Sequence, residues 1–365
     1  MRLGYVVHNL NDPAVERRCD MFERGGAKVA LAGFCRDENL SEAIAGRRPL
    51  ELGASADAAM IARVIATART AMFNRRLVDF LAGCDAIVAR NLEQLAIARR
   101  LIGNRPLVYE CLDIHRLLVG SGAAARLVQR AEGALLPRVD MLITSSPAFV
   151  RNHFAQSRLN APALLVENKV LAGKTLPPAA APRTPQWPVT IGWFGMLRCR
   201  RTLDFLTGLV EKSDGRIEVL VAGKPSPAEL PDLETRIAKT PHMRFAGPYR
   251  YEDLPALYSQ CHFAWAIDWF EEGLNSKWLL PNRLYEPLLH GVIPIALADV
   301  EVGRWLAASG AGMLVENAEE AAKRLMALDF GALASMQDAV LSIDRGRLAA
   351  TDKDCRALVE EIAAL

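Results

Sequence analysis

Short apolar stretches alternate with longer amphipathic stretches along the 365-residue chain. Apolar runs of about four to eight residues, bounded by turn residues, are typical of buried strands, and longer runs with helical spacing are typical of helices. Strands are predicted at residues 2–8, 28–32, 85–90, 106–111, 140–144, 163–166, 189–194, 217–222, 242–246, 262–267, 292–296 and 313–315. This alternation predicts the α/β class, with parallel sheets covered by helices on both faces.

The first strand leads into a helix with a clear start signal. Asp12 is predicted to cap a helix over 13–24, which ends before a Gly-Gly pair. The GxGxxG pattern that binds a dinucleotide at this position is absent, so no dinucleotide is expected here. Residues 35–55 are predicted to be irregular, and residues 56–82 to form a long Ala-rich helix.

Five prolines between residues 175 and 188 predict an extended linker. We therefore predict an N-terminal domain at 1–174, a C-terminal domain at 189–345, and a last helical segment at 346–365 that packs back on the N-terminal domain. Two Rossmann-like, doubly wound halves predict a two-lobed enzyme with a cleft, in which ligands lie at the carboxyl ends of the strands.

Hydrophobic run lengths and cysteine spacing bear on the cellular location of the protein. No run approaches the ~20 apolar residues of a membrane span, and the first residues are too short for a signal-peptide core. The seven cysteines lack CxxC or zinc spacing. These features predict a cytoplasmic protein with reduced thiols.

Charge is unevenly distributed although the net charge is only +2. Residues 1–180 contain 24 Lys and Arg against 17 Asp and Glu, whereas the remainder contains 20 against 25. The basic half either is an ordinary solvated surface or faces an anionic membrane or a phosphorylated acceptor. No nucleic-acid partner is expected.

A strongly polar loop over 268–286 separates two apolar strands and turns into a helix near Pro281. Such a loop costs stability unless it binds something. Asn282 and Arg283 lie near the start of that helix, where a diphosphate would be stabilised. Glu286 has apolar flanks, so its carboxylate is predicted to face a ligand and accept hydrogen bonds from ribose hydroxyls.

A second candidate lies between the strand at 189–194 and the next helix. Gly195 lets the backbone approach a phosphate, and Arg198, Arg200 and Arg201 follow on one predicted turn. Guanidinium groups at the start of a helix are suited to a phosphate. The alternative is a solvated charged turn.

The order of these motifs resembles the nucleotide-sugar domain of GT-B glycosyltransferases, in particular the large retaining group called family 4. The matching pieces are Gly195-x-x-Arg198, Val221-Ala-Gly223, Phe245-Ala-Gly247 and Glu286 to Ala296. The resemblance implies that Glu286 binds the nucleotide ribose, that Arg198 with Arg200 or Arg201 clamps the pyrophosphate, and that Gly223 lies at the nucleotide.

One departure concerns the donor sugar. The family has a second glutamate eight positions before the first, and Trp278 stands there. Either the loop is longer here and Glu272-Gly273 is the counterpart, or the role has moved to Asp268, Glu271 or Asn275. The polar residues predicted to position the sugar hydroxyls are Asp268, Glu271, Glu272, Asn275, Ser276 and Lys277, and the alternative for each is a solvated loop residue. The stereochemical outcome, retention or inversion, therefore stays open.

The N-terminal half carries the acceptor-side candidates. Asp113 and His115 follow a predicted strand, where a carboxylate could act as base or a histidine could bind the donor sugar; the alternative is a capping Asp and a structural His. His8, Asn9 and Asn11 on the first loop are predicted to contact the acceptor.

The sequence segments HNLNDPAVERR, ENK and NRLYE further resemble those of bacterial exopolysaccharide glycosyltransferases of the succinoglycan type. This resemblance implies transfer of a hexosyl or uronosyl group from a nucleoside diphosphate sugar to a glycan or lipid-linked oligosaccharide acceptor. The enzyme would act at the inner face of the cytoplasmic membrane as a peripheral protein. No cofactor and no catalytic metal are expected, because arginines would stabilise the diphosphate and no Asp-x-Asp motif is present. The alternatives are a sugar-nucleotide epimerase or phosphorylase of the same fold, or a nucleotide-sugar-binding partner without activity.

Overall fold

A computed structural model describes residues 1–36, 39–54, 75–114, 116–173, 181, 183–270, 272 and 275–365. The chain forms two compact units: unit 1 comprises Met1–Glu167 with Ala350–Leu365, and unit 2 comprises Asn168–Ala349. Most of the predicted helix at 56–82 and the front of the predicted linker lie outside the described residues.

Unit 1 is built on a seven-stranded parallel sheet. Its strands are β1 Arg2–Val7, β2 Lys28–Cys35, β3 Leu50–Ala54, β4 Ala86–Arg90, β5 Leu107–Cys111, β6 Met141–Thr144 and β7 Ala163–Leu165. Its helices in this part of the chain are α1 Pro13–Arg24, α2 Glu42–Gly46, α3 Arg75–Leu81, α4 Leu92–Leu101, α5 Arg116–Val119, α6 Ala123–Leu135 and α7 Pro147–Asn152. The spatial order β3-β2-β1-β4-β5-β6-β7 is that of a Rossmann fold.

Two expectations for unit 1 have clear outcomes. Asp12 caps α1 as predicted, since its carboxylate accepts a hydrogen bond from Ala14 N at 2.9 Å. The prediction that 35–55 is irregular is wrong, because α2 and β3 form there and β3 pairs with β2 as an edge strand. Its residues are mostly exposed, so the apolar signal of a buried strand is missing from the sequence.

Unit 2 is built on a six-stranded parallel sheet of order β11-β10-β9-β12-β13-β14. Its strands, with the short β8, are β8 Val170–Leu171, β9 Val189–Leu197, β10 Ile217–Pro225, β11 Met243–Phe245, β12 Phe263–Trp265, β13 Ile293–Leu297 and β14 Met313–Val315. Its helices are α8 Arg200–Lys212, α9 Leu233–Lys239, α10 Leu254–Tyr258, α11 Asn282–Leu289, α12 Glu301–Ala308, α13 Ala318–Met326 and α14 Phe330–Leu341. When these six strands are numbered from β9, their order is again that of a Rossmann fold. Buried side chains on both faces of the sheet form the core of unit 2.

Gly195 lies inside β9 and not at the predicted turn, because β9 continues to Leu197 beside an equally long β10. Gly195 has φ +112°, and its partner Gly223 has φ +138°. A Cβ on Gly223 would lie 1.8 Å from the Gly195 carbonyl oxygen, so the two strands can approach only if that position is glycine.

The chain enters unit 2 at Asn168, before the predicted domain boundary at 174. Asn168 Nδ2 donates to Leu280 O at 3.0 Å, and Val170 N donates to Leu348 O at 3.1 Å. At the far end of the predicted linker, the Trp187 ring lies against Phe330, with ring centroids 5.3 Å apart. Both stretches thus pack on unit 2.

The chain returns to unit 1 at β15 Ala349–Ala350 and ends in α15 Asp352–Ala363. Helix α15 packs against α1, where Arg24 Nη2 lies 2.5 Å from Asp352 Oδ1. Gly25 touches this helix so closely that a Cβ would lie 2.3 Å from Cys355 O. The last helix is therefore part of the N-terminal fold.

Candidate functional site

Each unit has a switch point, where the order of the strands reverses and ligands of open α/β sheets bind. In unit 2 this point lies between β9 and β12. Arg198 directly follows β9, and the segment Asp268–Phe270 follows β12. The two predicted candidate stretches therefore meet at one place in the sheet, outside the carboxyl ends of its strands.

Arginines surround the segment after β12. The Arg198 guanidinium lies over the Phe270 ring at 4.3 Å from its centroid, and that of Arg201 lies over the Trp269 ring at 4.4 Å. Asp268, the remaining residue of this segment, accepts a hydrogen bond from Arg283 Nη2 at 2.5 Å. The two aromatic residues were not predicted as site residues, although both stand in the polar loop that the sequence singles out.

Arg200 occupies a different place from its neighbours. Its guanidinium donates two hydrogen bonds to Asp232, at 2.6 and 3.1 Å, and one to Glu229 O at 3.1 Å. A bidentate pair of this kind engages most of the donors with which an arginine would hold a phosphate. Arg200 fastens α8 to the start of α9.

Glu286 lies on α11 and is 7% exposed. Tyr249 and Tyr258 lie near Glu286. Burial raises the pKa of both phenols, and the negative charge of Glu286 raises the pKa further. The Tyr258 ring stacks on His290, with centroids 5.3 Å apart. Burial, and then the positive charge of Arg345, lowers the pKa of His290 to about 4. Glu286 is thus held in an aromatic surround whose histidine is neutral.

The start of α11 contributes backbone donors. Pro281 directly precedes the helix, and its side chain makes no capping hydrogen bond to the helix N–H groups. Asn282 and Arg283 are the first two helical residues. Glu286 is on the next turn of the same helix. The first two turns of α11 therefore combine a helix N-terminus, a guanidinium and a carboxylate, a set of groups that suits a nucleoside diphosphate.

The predicted donor-sugar residues separate in the structure. Glu272 pairs with Arg201 at 2.6 Å, and Lys277 Nζ donates to Asp299 Oδ2 at 3.0 Å. Ser276 is half-buried within a 3₁₀ turn. Glu271 and the side chain of Asn275 lie outside the described part of the chain.

The switch point of unit 1 lies between β1 and β4, next to the loop that holds His8, Asn9 and Asn11. Asn11 is a loop-forming residue: its Nδ2 donates to Asn39 O at 2.9 Å and its Oδ1 accepts from Arg36 N at 3.1 Å. Asn9 Oδ1 accepts from Asn11 N at 3.1 Å. These amides shape the loop.

His8 is the titratable group of this loop. Burial, followed by the positive charge of Arg90, lowers the pKa of His8 to about 4, against the opposing effect of Asp12. Its Nδ1 is buried and has no hydrogen-bond partner among the residues that the structure describes. Asp12 bridges to Arg90 at 3.1 Å. A neutral histidine with one unsatisfied ring nitrogen therefore stands at the switch point.

A buried charge cluster, which the sequence did not reveal, lies beneath this loop. Glu110 is fully buried and accepts hydrogen bonds from Tyr5 Oη and Arg18 Nε, both at 2.5 Å. Arg90 lies 3.6 Å from the same carboxylate. Burial alone would raise the pKa of Glu110, but the two arginines and the tyrosine outweigh it and lower the pKa below its ordinary value.

Asp113 is exposed and follows β5, as predicted, and its backbone oxygen accepts a weak hydrogen bond from Cys111 Sγ at 3.5 Å. His115, its predicted partner, lies outside the described residues. The structure therefore leaves the pair of predicted catalytic residues without a defined geometry.

Two further properties concern the described residues only. Among them, no three His, Cys, Asp or Glu side chains converge in a way that could hold a metal ion. None of the described helices combines the length and apolar character that crossing a membrane requires.

Comparisons with known proteins agree with this architecture. The chain is 42% identical to the succinoglycan biosynthesis protein ExoL of Rhizobium meliloti (strain 1021) over 379 aligned positions, covering all of this chain and 94% of that protein. Sucrose-phosphate synthase of Thermosynechococcus elongatus superposes with a TM-score of 0.72 at 14% identity, over 100% of this chain and 98% of that one. Anabaena HepE in complex with UDP and glucose gives 0.70 at 15% identity over the whole of both chains. No protein-family model matches the chain.

Proposed function

Because the chain belongs to the family of the succinoglycan biosynthesis protein ExoL and has the GT-B fold, we propose that it is a glycosyltransferase of exopolysaccharide synthesis. It transfers a hexosyl or uronosyl group from a nucleoside diphosphate sugar to a glycan acceptor. The solved structure of HepE with UDP and glucose supports a uridine nucleotide as the first donor to test.

One observation carries the proposal: the unit 2 switch point gathers arginines beside the buried carboxylate of Glu286. Arg198, Arg201 and Arg283 all contact the same short segment after β12. Guanidinium groups match the charge and shape of a diphosphate, and a buried carboxylate can accept two hydrogen bonds from ribose hydroxyls. Unit 2 therefore holds the nucleotide.

The same arginines serve the reaction itself. When the bond between the sugar and the diphosphate breaks, negative charge grows on the leaving phosphate, and preorganised donors there lower the barrier. Arg198, Arg283 and the N-terminus of α11 supply those donors without a metal ion. On the acceptor side, His8 in unit 1 remains neutral above about pH 4 and contacts an acceptor hydroxyl. Asp113 and His115 are the candidates for proton transfer.

We further propose a lipid-linked acceptor, with peripheral contact to the inner face of the cytoplasmic membrane. The outer face of α6 supports this, because Leu127 is 70% exposed between the exposed residues Arg126 and Arg130. An apolar side chain flanked by arginines is suited to an anionic bilayer surface. Sedimentation with anionic vesicles tests the contact; equal recovery with neutral vesicles contradicts it.

The donor is identified by a thermal-shift screen of nucleoside diphosphate sugars, since a ligand that binds the folded state raises the melting temperature. Glu286→Ala then tests the site. Loss of a hydrogen-bonded carboxylate raises KM for the donor about ten- to a hundredfold. Glu301→Ala is the matched control, because Glu301 is a buried helical glutamate in the same unit, at 5% exposure. Equal KM values in both variants and the wild type contradict the assignment.

A further inference from the structure

Three consecutive residues after β12 each hold a different arginine. Within the segment Asp268–Phe270, the first residue binds Arg283 through its carboxylate, the second lies under Arg201 and the third lies under Arg198. The three arginines come from three places: the turn after β9, the first turn of α8 and the first turn of α11.

These contacts gather the positive charges within a small space. Three consecutive Cα atoms span at most about 7.6 Å. Each arginine contacts a different member of that span, and the contacts measure 2.5 Å for the ion pair and 4.3 and 4.4 Å for the ring contacts. Among the described residues, a carboxylate already pairs with two of them, Asp268 with Arg283 and Glu272 with Arg201 at 2.6 Å, whereas Arg198 lies on a ring.

The ring contacts orient the arginines without using their hydrogen-bond donors. An aromatic ring binds the flat face of a guanidinium, and the N–H groups point outward from its edge. Among the described residues, Arg198 has the Phe270 ring as a partner and no carboxylate. Arg200, two residues later, has the opposite arrangement and directs its donors to Asp232.

Asp268 uses both of its carboxylate oxygens inside the protein. Oδ2 accepts from Arg283, and Oδ1 accepts from the backbone N–H of Phe270 at 3.0 Å. One side chain thus links the arginine of α11 to the backbone that carries the ring under Arg198. The predicted contact between Asp268 and the donor sugar stays a prediction.

We propose that Asp268, Trp269 and Phe270 are positioning residues that orient Arg283, Arg201 and Arg198 for the diphosphate of the donor. The inference rests on the proposed function and adds a role to it. The segment sets the geometry of the groups that receive the leaving phosphate.

The test is a double-mutant cycle between Phe270→Leu and Arg198→Ala, measured as the Kd of UDP and of UMP by calorimetry. Loss of the ring weakens UDP about five- to thirtyfold, as expected for a cation–π contact in a partly desolvated site. It changes the Kd of UMP less, because UMP lacks the second phosphate. In the Arg198→Ala background, Phe270→Leu has no further effect on UDP. Phe270→Tyr, which keeps a ring, restores wild-type binding.

Trp187→Leu is the matched control, since it removes another partly buried ring beneath an arginine in unit 2, Arg216 at 5.6 Å. It leaves the Kd of UDP unchanged. Asp268→Asn removes the ion pair to Arg283 and reduces the preference for UDP over UMP about tenfold, in the range of a charged hydrogen bond.

The outcomes separate the two proposals. If the wild type binds UDP and Phe270→Leu costs the same with and without Arg198, the positioning role is overturned and the proposed function stands. If UDP and UMP weaken equally in Phe270→Leu or Asp268→Asn, the positioning role is likewise overturned. If the wild type binds none of UDP, GDP, ADP or dTDP, both proposals are overturned. If another of these is bound, the same cycle is run with that diphosphate and its monophosphate.

Discussion

Both switch points of this protein have arginines nearby, but the two sets of arginines have opposite kinds of partner. In unit 1, Arg18 and Arg90 are 3% and 5% exposed and surround a fully buried carboxylate, Glu110. In unit 2, Arg198 is half-buried and Arg201 exposed, and both lie over aromatic rings. One sheet order thus supports two different electrostatic arrangements.

The difference shows what makes an arginine available to a ligand. A buried guanidinium needs a carboxylate, which neutralises its charge and engages its donors. A half-buried guanidinium over a ring retains its charge and its outward donors. The unit 1 arginines are therefore structural, whereas Arg198 of unit 2 is arranged to receive an anion. The predictions below test this contrast, from the largest effect to the smallest.

Glu110→Ala is expected to lower the free energy of unfolding by about 3–5 kcal/mol, because two buried guanidinium groups lose their counter-charge. Urea unfolding measures the change. Asp232→Ala, which removes the carboxylate paired with exposed Arg200, is the control and stays near wild type, since exposed ion pairs contribute little. If both variants lose the same stability, the contrast between buried and exposed arginines is wrong.

His262, a buried histidine of unit 2, is neutral in the folded state, which predicts that acid lowers the stability of the protein. His262 is 1% exposed, its Nδ1 accepts from Thr190 N at 3.0 Å, and burial with the charge of Arg183 lowers its pKa to about 4. Above pH 6.5 neither the folded nor the unfolded state binds the proton. Between pH 6.5 and 4 only the unfolded state binds it, so stability falls by about 3 kcal/mol as the pH is lowered.

The measurement is urea unfolding at several pH values for the wild type and His262→Asn. The variant lacks the titrating group and loses less stability on acidification. His242→Asn is the control, since His242 is 46% exposed. His8 and His290 act in the same direction, so the difference between wild type and variant is the quantity to compare. An unchanged pH dependence in His262→Asn argues against a neutral His262.

The smallest expected effect is a difference in nucleotide binding between Arg198 and Arg200, two arginines that are only two positions apart. Arg198→Ala is expected to raise the Kd of the donor nucleotide about tenfold, whereas Arg200→Ala changes it less than about twofold, since Asp232 already binds that guanidinium. Isothermal titration measures both. Equal losses would mean that Arg200 leaves Asp232 to bind the phosphate.

The sequence predicted the fold, most of the helices and strands, and the family, and the structure and the comparisons confirm these predictions. Buried parallel strands are strongly apolar, and a signal such as Asp12 before Pro13 marks the start of a helix at one residue. Sequence also predicted the two loops that meet in unit 2. Parallel strands bring their carboxyl ends to one edge, so residues far apart in sequence could be placed together.

The partners of individual side chains could not be predicted. Arg198, Arg200 and Arg201 are close in sequence, but the helix that starts at Arg200 points the last two in different directions, one to Asp232 and one to Trp269. Glu110 looked like part of an ordinary buried strand. Its role depends on Arg18, which is 92 positions away in sequence and reaches it only in the folded sheet.

The return of the chain to unit 1 also orders events during synthesis. Helix α1 emerges early, but the helix that covers it, α15, follows only after all of unit 2 has been made. Arg24 and Asp352 are 328 positions apart, so at about 5–20 residues per second the delay is about 16–66 s. During that interval the end of α1 lacks its contact with α15, and unit 2 is the first part of the nascent protein able to fold to completion.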